Sequence, residues 1–401
     1  MSAAADRCPV CGETGRAFVC RERVPVHQNQ LFASADEARA AVVGELRICH
    51  CPTCDFVWNA AFDSGLLSYH HAYDNTQTCS PRFSDHLDAL VTLLVVERGV
   101  RDARIVEVGC GNGEFLRRLV LGGPGNTGAG FDPSYRGPDE DLGGRVAFQR
   151  SFFGPGEATG EADVVVSRHV IEHVDEPIAI LELMRSAIEA APDPRLFLET
   201  PDVAWILEHR VVWDFFYEHC SYFTPRSLAY AAQLAGLEVV AVDLVFADQY
   251  QWVQARPAGP ASSAAVPERQ GLAAAAEEFE RAERRLWQRL GEQVAELGAC
   301  GPVAIWGAGA KGVTFANQID PARESLACVI DLNPAKQGGY LPGTAHPIVS
   351  PQEAEERGVA TAILLNPNYE PEIREMLAAS GSRVTLVNAD HVGVVNSSQE
   401  P

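Results

Sequence analysis

The sequence is poor in positive charge and contains no long apolar run. Its 401 residues include 32 lysines and arginines against 54 aspartates and glutamates, which gives a formal net charge of −22. Nucleic acid and anionic membranes repel so acidic a chain. No apolar run is long enough to cross a bilayer, and the first residues, MSAAADRCPVCG, contain no apolar signal segment. We therefore expect a cytoplasmic protein that acts on a small molecule, with neither nucleic acid nor membrane as a partner.

A cytoplasmic location makes disulfide bonds unexpected, so the eleven cysteines need another explanation. Two C-x-x-C pairs stand in short turns and together can offer four thiolates to a zinc ion: Cys8 with Cys11, and Cys51 with Cys54. A closed site of four thiolates has no open coordination position, which favours a folding role over catalysis. Unliganded thiols or one redox-active pair are the alternatives. Candidates outside a paired turn rank lower: Cys20, Cys49, His27 and His50.

A glycine-rich turn lies within residues 105–115, between an apolar stretch and a helical one. Three glycines allow the backbone to turn tightly and approach a ligand: Gly109, Gly111 and Gly113. The dinucleotide fingerprint G-x-G-x-x-G is incomplete because Glu114 replaces its third glycine. Asp132 ends the next apolar stretch, where a carboxylate can accept hydrogen bonds from a ribose diol. The pattern E-x-G-x-G-x-G from Glu107 resembles the class I S-adenosylmethionine (SAM) methyltransferases; an ordinary turn of another doubly wound domain is the alternative.

Strand and helix patterns alternate over residues 100–255, which predicts a parallel, doubly wound sheet. The predicted strands are residues 104–109, 127–132, 162–167, 195–200 and 238–246. Ligands bind such sheets at the carboxyl ends of the strands, so the loops there should face the ligand. The segment 61–90, which includes Tyr73, is rich in aromatics and histidine. It could be a lid over the cofactor, or a helix with a surface loop.

An aromatic block at residues 213–225 is interrupted by polar side chains. Tyr217, Glu218 and His219 are adjacent in it. Histidine can accept a proton from a carbon acid or a hydroxyl near neutral pH. A neighbouring carboxylate can orient the imidazole, and tyrosine can donate a hydrogen bond to a developing enolate oxygen. The alternative is a packed aromatic turn in which the histidine and glutamate are structural.

A strand–turn–helix pattern begins again within residues 301–390. Its turn carries a complete G-x-G-x-x-G from Gly307, and Asp331 ends the next predicted strand. Taken alone this would suggest NAD, in a protein with two cofactors or no catalytic role. The unit is too short for a full dinucleotide fold, and the loop after Asp331 is unlike a nicotinamide site, which argues against NAD. Lys311 and Lys336 could neutralise a phosphate or carboxylate of the substrate, or be solvated surface charges.

The order of these motifs resembles the bacterial sugar C-methyltransferases, which methylate a carbon of nucleotide-linked deoxysugars. The resemblance implies an α/β fold: a doubly wound class I methyltransferase sheet flanked by a small N-terminal zinc module and a C-terminal Rossmann-like module. The modules would be residues 1–60, residues 61–255, a linker with an amphipathic helix within 256–300, and residues 301–401. The helix itself is predicted over 270–297 from the spacing of its apolar residues.

The resemblance also implies roles for individual residues. Structural zinc would be held by Cys8, Cys11, Cys51 and Cys54. SAM would contact Glu107, Gly109, Gly111, Asn112, Gly113, Phe115, Asp132, Pro133, Arg168 and His169. The catalytic residues would be His219, Tyr217, Glu218, His173 and Tyr73, with His219 removing a proton α to a ketone. Substrate contacts would come from Tyr222, Lys311, Lys336 and Tyr369.

The polar pattern of residues 73–80 departs from the lids of the sugar enzymes, so the reaction type transfers better than the substrate. A nucleotide sugar is one candidate substrate. An O- or N-methyltransferase of natural-product tailoring on the same scaffold is the alternative function, in which His219 would deprotonate a hydroxyl or amine. The oligomeric state is left open between a monomer and a homodimer.

Overall fold

The computed structural model describes residues 6–67, 79–158, 160–259 and 271–389. The chain begins with an antiparallel sheet that contains β1 (Arg16–Pro25), β2 (Val43–His50) and β3 (Val57–Asn59), with α1 (Ala35–Arg39) between the first two strands. A short 3₁₀ turn, Ser64–Leu66, follows. Tyr73 and the centre of the predicted lid lie outside the described residues.

The middle of the chain forms a large mixed sheet. Its elements are α2 (Pro81–Thr92), β4 (Arg104–Val108), α3 (Glu114–Gly122), β5 (Thr127–Phe131), β6 (Glu140–Asp141), β7 (Val146–Gln149), β8 (Val164–Arg168), α4 (Pro177–Ile188), β9 (Arg195–Pro201), α5 (Val203–Glu208), β10 (Ser221–Tyr222), α6 (Pro225–Leu234), β11 (Leu237–Val245) and β12 (Tyr250–Pro257). The strand order is β11-β12-β9-β8-β4-β5-β7-β6. The five strands from β9 to β7 are parallel, which confirms the predicted doubly wound α/β sheet.

Helices cover this sheet on both faces because alternate side chains of its buried strands point to opposite sides. On β8, Val164 and Val166 pack in the apolar core beneath α2 and α3, whereas Val165 packs in the core beneath α4 and α6. The five strands predicted here are all present within about two residues of their predicted ends. β12 was not predicted from the sequence; it returns antiparallel to β9 and continues the sheet beyond residue 255.

The C-terminal part begins with the long helix α7 (Leu272–Gly298), which confirms the predicted amphipathic helix. It is followed by β13 (Val303–Trp306), α8 (Ala310–Ile319), β14 (Leu326–Ile330), β15 (Ile348–Val349), α9 (Pro351–Glu356), β16 (Thr361–Leu364), α10 (Glu370–Ser380) and β17 (Thr385–Asn388). These strands form a parallel sheet in the order β15-β14-β13-β16-β17. Its architecture is the Rossmann-like arrangement expected from the second glycine turn.

Contacts between distant parts of the chain join the three sheets. β10 pairs with β3, so the N-terminal sheet takes its fourth strand from the middle of the chain. Arg21 of β1 forms an ion pair of 2.8 Å with Glu283 of α7 and donates to the carbonyl groups of Val212 and Phe215. The aromatic block is therefore held between the N-terminal sheet and α7. Among the described helices, none combines the length and the apolar character that a membrane span requires.

Candidate active site

The first glycine turn connects the end of β4 to α3 and depends on the absence of side chains. Gly109, Gly111 and Gly113 have φ angles of 73°, 52° and 75°, which L-residues rarely adopt. A Cβ atom on Gly109 would lie 2.1 Å from Val170, and one on Gly113 would lie 2.3 Å from Phe148. Around Gly111 there is open space instead. The first and third glycines thus serve packing, and the second opens towards a ligand.

A cavity of about 370 Å³ lies over this turn, in the size range of small-molecule sites. Nine of the predicted cofactor residues line it: Glu107, Gly109, Gly111, Asn112, Phe115, Asp132, Pro133, Arg168 and His169. Gly113 does not, because it faces Phe148. Apolar walls that the sequence analysis did not name come from Phe83, Leu87, Phe152, Phe153 and Ile180.

Asp132 connects the end of β5 to the glycine turn. Its Oδ2 accepts a hydrogen bond of 2.8 Å from the Gly111 N–H, and its Oδ1 accepts one of 2.7 Å from the Ser134 N–H. The Ser134 hydroxyl also donates to Oδ1, at 2.6 Å, so the lone pair that remains for a ligand is on Oδ2. The side chain is thereby fixed at the cavity wall, in a position where a ribose diol can donate to it.

Glu107 is buried in β4 below the same cavity, and its Oε2 has no hydrogen-bond partner among the described residues. Burial raises the pKa of its carboxyl to about 8, against the opposing effect of Arg168. A buried carboxyl oxygen without a partner is costly unless a ligand satisfies it. The cationic amino-acid end of SAM is such a ligand, and the residues present therefore fit this cofactor.

A buried ionic cluster forms the floor between β8 and β9. Glu199 accepts hydrogen bonds from His86 Nε2 at 2.5 Å and from Arg168 Nε at 2.7 Å. Burial alone would raise the pKa of Glu199, but Arg168 and His86 outweigh it and hold the pKa at about 2. The ion pair orients Arg168, whose guanidinium lies 4.7 Å from the Phe115 ring centre at the cavity wall. Neither Glu199 nor His86 was predicted from the sequence.

A second cavity lies between the carboxyl edge of the methyltransferase sheet and the C-terminal sheet. Of the predicted residues it contains His173, Glu218, His219, Lys311, Lys336 and Tyr369. His169 and His173 line both cavities. Gln249 and Asn366 exchange hydrogen bonds of 2.9 and 3.2 Å, which join the two sheets beside the cavity. Both of these residues, with Tyr250 and Asn29, are lining residues that the sequence analysis missed.

Two histidines meet at the junction of the cavities. The rings of His173 and His219 are perpendicular, with centres 4.7 Å apart, and Phe216 packs 4.1 Å from the His219 ring. Burial lowers the pKa of His219 well below its ordinary value of 6.5, and the nearby His173 lowers it further. His219 is therefore a neutral imidazole near neutral pH, with a nitrogen lone pair able to accept a proton.

Two tyrosines predicted at this site point elsewhere. The Tyr217 hydroxyl accepts a hydrogen bond of 2.8 Å from the Asp63 N–H, and its ring packs against Gly44 of β2. The Tyr222 hydroxyl donates to the Phe216 carbonyl at 3.2 Å. Neither tyrosine lines either cavity. The roles predicted for them in enolate stabilisation and substrate binding are therefore corrected: both hydroxyls serve the packing of the aromatic block.

Glu218 reaches the second cavity but does not orient His219. Its Oε2 accepts a hydrogen bond of 2.8 Å from the Gln28 N–H, and its Oε1 lies 3.5 Å from His27 Nδ1. The carboxylate is thus anchored to the N-terminal module by Gln28 and His27. This replaces the expected carboxylate–imidazole pair with a contact between modules.

The two predicted substrate lysines line the second cavity and are partnered. Lys311 of α8 forms an ion pair with Asp214. Lys336 is buried and its Nζ donates to the Ala308 carbonyl at 3.2 Å. Asp331 Oδ2 accepts a hydrogen bond of 2.8 Å from the Ala308 N–H of the second glycine turn. The same arrangement joins Asp132 to the Gly111 N–H of the first turn. The alternative of solvated surface lysines does not fit these positions.

The two C-x-x-C pairs come together in the N-terminal module. Cys8 Sγ lies 3.5 Å from Cys54 Sγ, and Cys11 Sγ lies 3.4 Å from Cys51 Sγ. All four sulfurs are within 4.8 Å of one another. The lower-ranked candidates are elsewhere: Cys20 is exposed, and His50 is paired with Asp55 at 3.2 Å.

The sheet order, the glycine turn, the carboxylates beside it and the cavity above it define a class I SAM-dependent methyltransferase. A family model described as a methyltransferase domain matches residues 81–242, and one described as a C-methyltransferase C-terminal domain matches residues 264–386. The C-methyltransferase NovU of Streptomyces niveus is 28% identical over 388 residues, which cover 92% of this chain and 91% of that protein. The chain is therefore similar to bacterial SAM-dependent C-methyltransferases over most of its length.

Solved structures resemble parts of the chain. The 1,6-didemethyltoxoflavin-N1-methyltransferase of Burkholderia thailandensis is 19% identical, with a TM-score of 0.35, and the match covers 45% of this chain and 82% of that one. The N,N-8-amino-8-demethyl-D-riboflavin dimethyltransferase of Streptomyces davawensis is 20% identical, also with a TM-score of 0.35, over 43% of this chain and 54% of that one.

Proposed function

We propose that this enzyme methylates the carbon next to a ketone in a nucleotide-linked deoxysugar or a related natural-product intermediate. One observation carries the proposal: His219 lies in the second cavity against His173, which lines both cavities. A base at this junction is next to the path that a methyl group must take from the first cavity to the second.

In the proposed reaction the neutral His219 accepts the proton from the carbon α to the ketone. The electron pair of that C–H bond becomes the enolate, and its carbon forms the new bond to the methyl group. When bound in the first cavity, SAM would supply that methyl group as an electrophile; the S–CH3 bond would break, its electron pair would stay on sulfur, and S-adenosylhomocysteine would be the leaving group. His173 packs across the ring of His219 at the junction of the two cavities, so the base lies close to the first cavity.

The positive charges on the wall that the C-terminal sheet and α8 give to the second cavity support a substrate with an anionic part. The second glycine turn places the N-terminus of α8 at the cavity, where unpaired backbone N–H groups attract anions. Lys311 and Lys336 bring two further positive charges to the same wall. A nucleotide diphosphate that displaced Asp214 from Lys311 would meet all three.

We also propose that the cysteine cluster holds a structural zinc ion. Zinc–thiolate bonds of about 2.3 Å in a tetrahedron place the sulfurs roughly 3.8 Å apart, close to the two shortest separations observed. Such an ion would hold the N-terminal module against α6, where Arg226 pairs with Asp55 at 3.1 Å. Metal analysis of the purified protein tests this directly.

Replacement of the proposed base tests the reaction. Purified His219→Asn should bind S-adenosylhomocysteine in calorimetry as the wild type does, and should form no methylated product when nucleotide ketosugars are screened by mass spectrometry. His209→Asn is the matched control, because His209 stacks on Trp205 and lines neither cavity; it should keep full turnover. Full activity of His219→Asn would refute the role.

Nuclear magnetic resonance of the product must show the new methyl group on carbon, and an O- or N-methyl product would refute C-methylation.

A further inference from the structure

A group of metal-ligand side chains lies at the junction of the cavities, separate from the four cysteines. Glu172, His173 and His219 each place one possible ligand atom within 4.8 Å of the other two. Two come from the 3₁₀ turn after β8 and the third from the aromatic block. Two imidazoles and one carboxylate are a ligand set that borderline divalent metals prefer.

The surroundings of Glu172 are those of a metal-binding carboxylate. Its Oε2 accepts a hydrogen bond of 2.9 Å from the Thr200 hydroxyl, and its Oε1 lies 3.3 Å from His169 Nδ1. Partners of this kind fix the direction of a ligating group. In contrast, the buried Nδ1 of His173 has no hydrogen-bond partner among the described residues. The carboxylate is thus held in place while an imidazole nitrogen beside it is left without a partner.

We propose that Glu172, His173 and His219 bind a divalent transition-metal ion of the zinc, nickel and cobalt class, and that the bound ion inhibits methyl transfer. Three protein ligands leave coordination positions open towards the second cavity, where substrate or water can occupy them. The ion would take the nitrogen lone pair with which His219 accepts the substrate proton. The inhibition therefore rests on the proposed function, whereas the binding does not.

The required movement is small. A tetrahedral ion about 2.1 Å from each ligand atom needs separations of roughly 3.4 Å between those atoms. No two of these atoms are more than 4.8 Å apart, so each pair has to approach by at most about 1.4 Å. Glu172 is buried and held, but His173 and His219 are only half-buried. Rotation of these two rings about their side-chain bonds can bring their nitrogens inward.

Cobalt(II) is a suitable probe because its absorption differs between sulfur and nitrogen–oxygen ligands. Protein that retains the metal of its cysteine cluster is dialysed against Co²⁺, and bound metal is counted by mass spectrometry. The wild type should bind one additional ion without the strong near-ultraviolet band of cobalt–thiolate. His173→Ala and His219→Ala should lose it, and His209→Ala should keep it. No additional ion, or equal binding by all four proteins, would overturn the site.

A substitution outside the ligand set gives a second test. Thr200→Val removes the hydroxyl that fixes Glu172 and should weaken Co²⁺ binding about 10- to 100-fold, as is usual for the partners of metal ligands. Unchanged affinity in this variant would contradict the arrangement. Calorimetry with S-adenosylhomocysteine verifies that each variant is folded, so a loss of cobalt cannot be attributed to unfolding.

The inhibitory role is tested on the wild type once a substrate is known. The rate should fall in proportion to Co²⁺ occupancy of the second site and return when EDTA removes the ion. Loss of activity in EDTA that Co²⁺ restores would overturn inhibition, because the ion would then be required. Failure to detect C-methylation would refute the proposed function and leave the count of bound cobalt standing.

Discussion

Glu107 should make cofactor binding release a proton. Its carboxyl has a pKa of about 8 in the free protein, because it is buried. At pH 7 the side chain is therefore about nine-tenths protonated, and at pH 8 about half. A bound cation beside it favours the ionised form and lowers this pKa. If the cofactor brings the pKa below about 6, binding at pH 7 releases about 0.8 to 0.9 protons.

Calorimetry measures this number directly. S-adenosylhomocysteine is titrated into the protein at pH 7 in phosphate, HEPES and Tris, whose ionisation enthalpies differ. The slope of the binding enthalpy against the buffer enthalpy gives the number of protons released. Glu107→Gln is the control, because it keeps the shape of the side chain and cannot titrate. Subtracting the number of protons released by the variant from the number released by the wild type removes the contribution of the ligand's own ionisation. Equal proton release by wild type and variant would refute the assignment of Glu107 to the cationic end of the cofactor.

The same pKa has a consequence for the stability of the free protein. A carboxyl whose pKa rises on folding, here from 4.5 to about 8, stabilises the folded state fully only below pH 4.5. That contribution is lost as pH rises through 8, by up to about 5 kcal/mol for a shift of this size. Glu107→Gln should therefore raise the melting temperature of the free protein at pH 9 and leave it little changed at pH 4. A variant less stable than wild type at pH 9 would contradict this.

Three further outcomes follow from the site. Tyr217→Phe should keep full turnover and lower the free energy of unfolding in urea by about 1 kcal/mol, because within the described part of the chain the hydroxyl hydrogen-bonds to the backbone of Asp63. Loss of turnover in a folded variant would restore the predicted catalytic role. Asp132→Ala should weaken S-adenosylhomocysteine binding at least tenfold by calorimetry. Asp331→Ala, which changes the corresponding residue of the C-terminal sheet, should leave this binding unchanged. Equal effects would contradict the assignment of the first cavity to the cofactor. Cys51→Ser should lose the zinc found by metal analysis and should have a lower melting temperature. Cys20→Ser, at an exposed cysteine, should have neither effect. Retained zinc in Cys51→Ser would exclude the four cysteines as the zinc site.

Features set by short-range patterns were predictable from the sequence. The first glycine turn follows from its spacing, because glycine adopts positive φ angles without strain and, at Gly109 and Gly113, has no Cβ to meet Val170 and Phe148. The helix α7 follows from the period of its buried residues. The four cysteines were identified as a set because two short turns each position a pair. In each case the information lies within a few residues along the chain.

Features set by long-range contacts were not predictable. Tyr217 and His219 are two residues apart, yet the first bonds to Asp63 and the second reaches the second cavity. Which way each one points depends on the N-terminal sheet, whose position no local pattern encodes. Glu199 did carry a recognisable pattern, since it is an acid inside an apolar strand, as is Glu107. Its partner His86 lies more than a hundred residues away and could be found only in three dimensions.

The two glycine turns show why spacing alone does not identify a ligand. Asp132 and Asp331 each accept a hydrogen bond of 2.8 Å from a backbone N–H of the turn, so the backbone arrangement is repeated. The side chains beneath it differ. Two residues before the first glycine stands Glu107 in one turn and Ile305 in the other, and the buried ammonium of Lys336 lies beside the second turn. A buried acid suits the cationic end of SAM, and a buried ammonium suits an anionic group, so the charge below the turn separates two sites that share one backbone geometry.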